Sequence, residues 1–283
     1  MRWPWIGPSS WIGLNFEQGV INGGIIRTQY AVRYNVSLKL ESFLGEIVKR
    51  KAILIGNTRK LEGVQIDIDK TRRFLCSPIG GAWHSNEIEI LENPGKAQLL
   101  NQLKVAKQQS FDFAFVLFSG HGAHQRQTVL EINGYGETIT ESDLLEIAPR
   151  QVSIFDCCRG VIQESVRKSV ALDSLSASFS ESSVRYRYDN RVMQALPQQV
   201  RLYSCAVGEF SYDTANGAIY LGHLMDAAKA LEYGHEFKTV ETAHAEARAN
   251  TIRSRTGGSQ QQTPEATLPK CITSQQLIIS LRP

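Results

Sequence analysis

The stretch Phe111-Asp-Phe-Ala-Phe-Val-Leu-Phe-Ser-Gly-His-Gly122 decides the fold of this chain. Phe113 to Phe118 form an unbroken apolar run, dense in aromatic residues. Strands that are covered on both faces in a parallel sheet have this composition. The run breaks into Ser119-Gly120-His121-Gly122. Glycine ends a strand and lets backbone approach closely, so a titratable imidazole is set at the carboxyl end of a buried strand. A second stretch, Val152-Ser-Ile-Phe-Asp-Cys-Cys-Arg-Gly160, has the same design with thiols in place of the imidazole. If both strands lie in one parallel sheet, His121 and a cysteine share the edge where open α/β sheets carry their sites.

Outward from these two stretches the chain alternates between periods. Ala52 to Ile55 reads as a first strand, closed by Gly56-Asn57. Val64, Ile68, Thr71 and Leu75 fall on one helical stripe, and Glu87 to Leu91 alternates charged and apolar residues as a strand does. Asn93-Pro94-Gly95 signals a helix start before Ala97 to Ala106. After the central strand, Asn133-Gly134 reads as a hairpin turn, and Thr140 to Asp143 as the cap of a short helix reaching Ile147. Val200 to Ala206 is a further strand, Tyr220 to Leu231 and Val240 to Ile252 are helices, and Gln275 to Leu281 is a last strand. The β-α-β-α-β order predicts an α/β fold with a mostly parallel central sheet flanked by helices.

Composition narrows the class. The chain has 283 residues and a formal net charge of +3, which fits one α/β enzyme domain and gives no basic face for nucleic acid. Five cysteines, an odd number without a CxxC pair, argue against a disulfide framework and for a reducing, cytoplasmic setting. No apolar run is long enough to span a membrane. Met1 to Ile47 stands apart, with Trp3, Trp5 and Trp11 near Pro4 and Pro8. It reads either as a short partner-docking arm or as a non-native extension, because Val48-Lys49-Arg50-Lys51 looks like a natural start running into the first strand. Gln163 to Pro197 is rich in serine and charge and reads as a linker.

Ser119-Gly120-His121-Gly122 together with Asp156-Cys157-Cys158-Arg159-Gly160 resembles the caspase and metacaspase family of cysteine peptidases, from about Lys51 to the C-terminus. Cys158-Arg159-Gly160 matches the caspase ending of the cysteine motif, and Asp156 to Cys158 matches the metacaspase pattern of Asp, any residue, Cys. Both registers select Cys158. The resemblance implies a caspase-like three-layer sandwich, with a large-subunit-like part over 48–162, a linker over 163–197 and a small-subunit-like part over 198–283. It implies a His121–Cys158 dyad and an oxyanion hole from the backbone N–H groups of Gly122 and Cys158. It also implies a protein substrate, an activating protein partner, and a role of the kind bacterial defence peptidases play.

The chemistry agrees with that resemblance. A thiol becomes a strong nucleophile as a thiolate, an adjacent imidazole promotes this, and the same imidazole can protonate the leaving amine. Cys157 reads as a buried small residue. Asp156 precedes the thiol pair where metacaspases carry an acid and cleave after Arg or Lys. A carboxylate at the pocket base favours a basic side chain and repels an acidic one. Metacaspases often have a second acid where this chain has Val207; Glu209, which shares a face with Val207 if the strand continues, is either its substitute in the substrate pocket or an ordinary solvated acid. His121 and His124 have no second ligand pair, so no zinc site is expected. Calcium, which metacaspases commonly need, has no acidic cluster assigned to it. The linker offers Arg167, Lys168, Arg185, Arg187 and Arg191 for self-cleavage. Three rivals remain: a silent scaffold of the same fold, a relative with non-basic preference, and a flavodoxin-like or nucleotide-binding module. The scaffold would usually have lost His121 or Cys158. The nucleotide-binding module would want a glycine-rich loop that Gly56 to Gly63 does not match.

Overall fold

The computed structural model describes residues 48–160, 181–214, 216–254 and 261–283. The expected extension over 1–47 and the first part of the expected linker, through residue 180, lie outside the described residues. In chain order, β1 (Arg50–Gly56) leads to α1 (Gly63–Cys76), β2 (Ile88–Glu92), α2 (Lys96–Gln108) and β3 (Phe113–Ser119). A small antiparallel sheet follows, β4 (Gly122–His124), β5 (Thr128–Glu131) and β6 (Thr138–Thr140), and then β7 (Arg150–Asp156). α3 (Glu181–Gln194) and β8 (Gln198–Tyr203) precede a short antiparallel pair, β9 (Asp213–Thr214) and β10 (Gly217–Ala218). The chain closes with α4 (Ile219–Lys229), β11 (Phe237–Thr239), α5 (Val240–Ser254), β12 (Glu265–Thr267) and β13 (Ile278–Leu281).

The central sheet runs in the order β12-β8-β7-β3-β1-β2, parallel except for the antiparallel edge strand β12. Every residue of β3 is buried, as its apolar run requires, and the side chains divide with period two. Phe113, Phe115 and Leu117 face the core shared with α1, α3, α4 and α5, while Ala114, Val116 and Phe118 face the core beneath α2 and the small sheet. The result is the three-layer α/β sandwich. No helix among the described residues is long and apolar enough to cross a membrane.

The structure corrects the linker. Its second half is α3, and Val184, Tyr188, Val192 and Ala195 pack into the core. The apolar stripe at every fourth residue is hard to see in sequence because Arg185, Arg187, Asp189 and Arg191 surround it. Arg185 bonds Glu87 at 2.6 and 2.9 Å, and buried Arg191 lies over the Phe237 ring. A helix bound in this way is a poor peptidase substrate, which needs extended, reachable chain. Arg185, Arg187 and Arg191 are therefore withdrawn as cleavage points, while Arg167 and Lys168 lie outside the described residues.

Candidate active site

Strand register brings the two motifs together. Gly56 pairs with Ser119, and Ser119 pairs with Asp156, so β1, β3 and β7 end level. His121 and Cys158 each stand two residues past their strand ends. Gly122 makes the closest approach: a Cβ there would lie 2.7 Å from Cys157 Sγ and 3.0 Å from the Cys158 carbonyl oxygen. Only a glycine lets the histidine turn lie against the cysteine turn. His121, Cys158 and Asp156 line one open cleft.

The imidazole is held from behind. His121 Nε2 lies 2.9 Å from the carbonyl oxygen of Arg59. A carbonyl can only accept, so Nε2 carries the proton and donates, leaving the Nδ1 lone pair as the basic site of the neutral ring. The Arg59 carbonyl is itself positioned by Asn57, which is fully buried. The Asn57 N–H donates to the Ser119 carbonyl at 3.0 Å, its Nδ2 donates to the Glu131 carbonyl at 2.8 Å, and its Oδ1 accepts the Arg59 N–H at 3.1 Å. One buried amide thus ties the loop after β1 to the strand that precedes His121 and to β5.

The cysteines differ sharply. Cys158 is half-buried in the cleft, with Sγ 3.7 Å from the Ser211 carbonyl oxygen. Cys157 is buried on the opposite side, where burial above all keeps its thiol protonated. Beyond them, the Arg159 guanidinium stacks 4.1 Å over the Tyr203 ring and bonds Glu265 at 2.7 Å and the Cys205 carbonyl at 3.1 Å. The Glu209 carbonyl accepts the Arg159 N–H at 3.0 Å, and the Glu209 carboxylate takes the Thr263 N–H at 2.5 Å and its hydroxyl at 3.1 Å. Glu209, expected as a substrate-pocket acid, is not among the cleft-lining residues and instead fastens the loop after Cys158.

Acids gather in the same cleft. Asp156 is joined there by Asp67 of α1 and Asp213 of β9, and no lysine or arginine is among the described residues that line it. Asp67 accepts the Ser119 hydroxyl at 2.8 Å and, at the start of α4, the Ala218 N–H at 2.9 Å. Asp156 Oδ1 accepts the Ser211 hydroxyl at 2.7 Å, whereas its Oδ2 makes no well-aligned hydrogen bond among the described residues, although the Ser204 hydroxyl and the Leu221 N–H also favour the ionised carboxylate. Burial pushes the Asp156 carboxyl up to about 6, with the charge of Asp213 adding to the effect and the Ser211 hydroxyl opposing it. Asp67 is raised well above the usual carboxylate range, first by burial and then by the charge of Asp156. Asp67, Asp213, Ser211 and Asn57 were not singled out in the sequence. Only Asp67 carried a signal, as a charged residue on the apolar stripe between Val64 and Ile68.

The chain belongs to the caspase domain family, whose model matches residues 49–273. Caspase-1 from Spodoptera frugiperda superposes with a TM-score of 0.52 at 13% identity, over 78% of this chain and 86% of that one, so the two share a fold. A protein from Geobacter sulfurreducens aligns with a TM-score of 0.47 at 13% identity, over 83% of this chain and 98% of that one. No curated protein matches the sequence.

Proposed function

We propose that this chain is a cysteine endopeptidase that cleaves after Arg or Lys. The observation that carries the preference is the buried Asp156 carboxylate, with Oδ2 unbonded and the cleft it lines shared with Cys158. A guanidinium or ammonium supplies both the donor that Oδ2 lacks and a positive charge for the Asp67–Asp156 pair. An Asp side chain in the same place would add another anion. In this reading Cys158 attacks the scissile carbonyl, Nδ1 of His121 takes the thiol proton and later returns it to the leaving amine, and the N–H groups of Gly122 and Cys158 hold the oxyanion. The backbone contact of Gly122 with the Cys157–Cys158 turn supports that last assignment. Self-cleavage at Arg167 or Lys168 would leave the core contacts of α3 through Val184, Tyr188 and Val192 in place.

Incubation with a mixed peptide library, with cut sites mapped by mass spectrometry, tests the proposal. Arg and Lys should dominate the position before the cut, and Cys158→Ala should yield no products. Enrichment of Asp at that position would end the reading.

A further inference from the structure

Ser211 touches both an acid and the thiol of the cleft. Its hydroxyl donates to Asp156 Oδ1 at 2.7 Å, and its carbonyl oxygen lies 3.7 Å from Cys158 Sγ. The segment that bears it is fastened on both sides. Glu209 is held by Thr263, Ala206 and Arg159. The Tyr212 carbonyl accepts the Ile219 N–H at 3.0 Å, and Ala218 is bonded to Asp67. Only Phe210 and Ser211 lie between these anchors, and both are half-buried. A displacement of the Ser211 hydroxyl therefore has little chain over which to dissipate before it moves the carbonyl of the same residue.

We propose that Ser211 couples the acidic pocket to the nucleophile: a basic side chain that takes Asp156 Oδ1 displaces the Ser211 hydroxyl, and the same movement withdraws the Ser211 carbonyl from the Cys158 thiol. The inference rests on the reading of the pocket as a site for basic side chains. Its chemical logic lies in the single hydrogen of a thiol. While that hydrogen is donated to the Ser211 carbonyl, it is not being passed to an imidazole, so the thiolate forms less readily. A guanidinium is a stronger partner for a carboxylate than a hydroxyl is, because two charge-assisted hydrogen bonds replace one neutral donor. Occupancy of the pocket by the correct side chain thus readies the thiol, and an empty pocket leaves it restrained. Ser211 is a positioning residue in this scheme, and it gives specificity an effect on kcat as well as on KM.

The test uses n-butylguanidine as a mimic of the Arg side chain and iodoacetamide as a small neutral probe of Cys158, with alkylation at that residue followed by mass spectrometry. Calorimetry measures guanidine binding to the wild type and to Asp156→Asn. The expected result is Asp156-dependent binding that speeds Cys158 alkylation several-fold. In Ser211→Ala the guanidine should bind more tightly and basal alkylation should be faster, with no further acceleration on binding. Ser211→Thr, which keeps the hydroxyl, should restore the acceleration. Guanidine that binds through Asp156 yet leaves alkylation unchanged or slower in the wild type overturns the coupling and spares the pocket assignment. Equal acceleration in Ser211→Ala also overturns it. Absence of Asp156-dependent binding overturns the basic-pocket reading, and the coupling falls with it. Should Ser211→Ala fail to fold, the wild-type and Ser211→Thr measurements still decide the matter.

Discussion

The amino and carboxyl ends of the central strands both bury carboxylates, in opposite company. At the amino ends, Glu87 and Asp189 meet Arg50 and Arg185 at 2.6 to 3.7 Å, with the Arg50 guanidinium 4.5 Å over the Trp83 ring. Burial pushes Glu87 up, but the Arg185 hydrogen bond and the Arg50 charge outweigh it and hold the group below the usual carboxylate range. Asp189 still rises to about 6 through burial, against the two arginines. At the carboxyl ends, Asp67 and Asp156 face each other and Asp213 instead, and both are raised. A buried charge is tolerated when it is paired. The first cluster is a charge-paired structural joint between α3, β1 and the turn before β2, in which each carboxylate meets two guanidinium groups although Asp189 Oδ1 lacks a well-aligned hydrogen bond. The second is a cluster of like charges without a described cation, which on the proposed reading a positively charged ligand would complete, and it lines the same cleft as the thiol.

The comparison can be broken by substitution at either end. The largest expected effect is on catalysis: Cys158→Ala should remove peptide cleavage entirely, His121→Ala should do nearly the same, and Cys157→Ala should leave most of it. Full turnover by Cys158→Ala would mean that the thiol of this cleft is not the nucleophile. Next, Arg185→Ala leaves Glu87 partly buried with one fewer partner. It should cost about 3 kcal/mol of stability by the usual penalty for breaking a buried pair, read as a lower urea midpoint. Cleavage preference should not change. A neutral effect on stability would show that the amino-end cluster is not the joint described.

Asp156→Asn should act in the contrary sense. A carboxyl whose folded pKa is raised contributes stability below its unfolded pKa and loses it as pH rises through the folded value, here about 6. At pH 8 the ionised group is a cost that the amide does not carry. The variant should therefore unfold at a higher temperature than the wild type at pH 8, with a smaller difference at pH 5, while the preference for Arg is lost. Destabilisation at pH 8 would contradict the electrostatic account. A smaller effect is expected in the wild-type pH profile. kcat/KM for an Arg substrate should fall as pH drops through about 6 more steeply than for a neutral substrate, because protonated Asp156 no longer attracts the guanidinium. Parallel profiles would assign the acid limb to the dyad alone.

The parts of this molecule legible in sequence were those with local signals. The apolar run of β3, the turns at His121 and Cys158, and the order of strands and helices follow from period, composition and glycine placement. α3 is hard to read because its apolar residues form a single thin stripe among charges, of which Arg185 finds its partner in Glu87, 98 positions away. The pocket was half legible for the same reason. Asp156 adjoins the motif, but Asp67 and Asp213 reach it only through the packing of α1 and of β9 with β10 on the sheet. A pocket position for Glu209 requires the strand to continue past Ser204. β8 ends at Tyr203, and the turn beyond it sends the carboxylate toward Thr263.

Whether charge is what the pocket reads is tested most directly by an Arg substrate and its citrulline counterpart, which has nearly the same shape and no charge. With peptides otherwise identical, kcat/KM for Arg should exceed that for citrulline by about a hundredfold, the upper range for a hydrogen bond to a charged group. The ratio should collapse toward unity in Asp156→Asn. A wild-type ratio near one, with both peptides cut efficiently, would contradict the account.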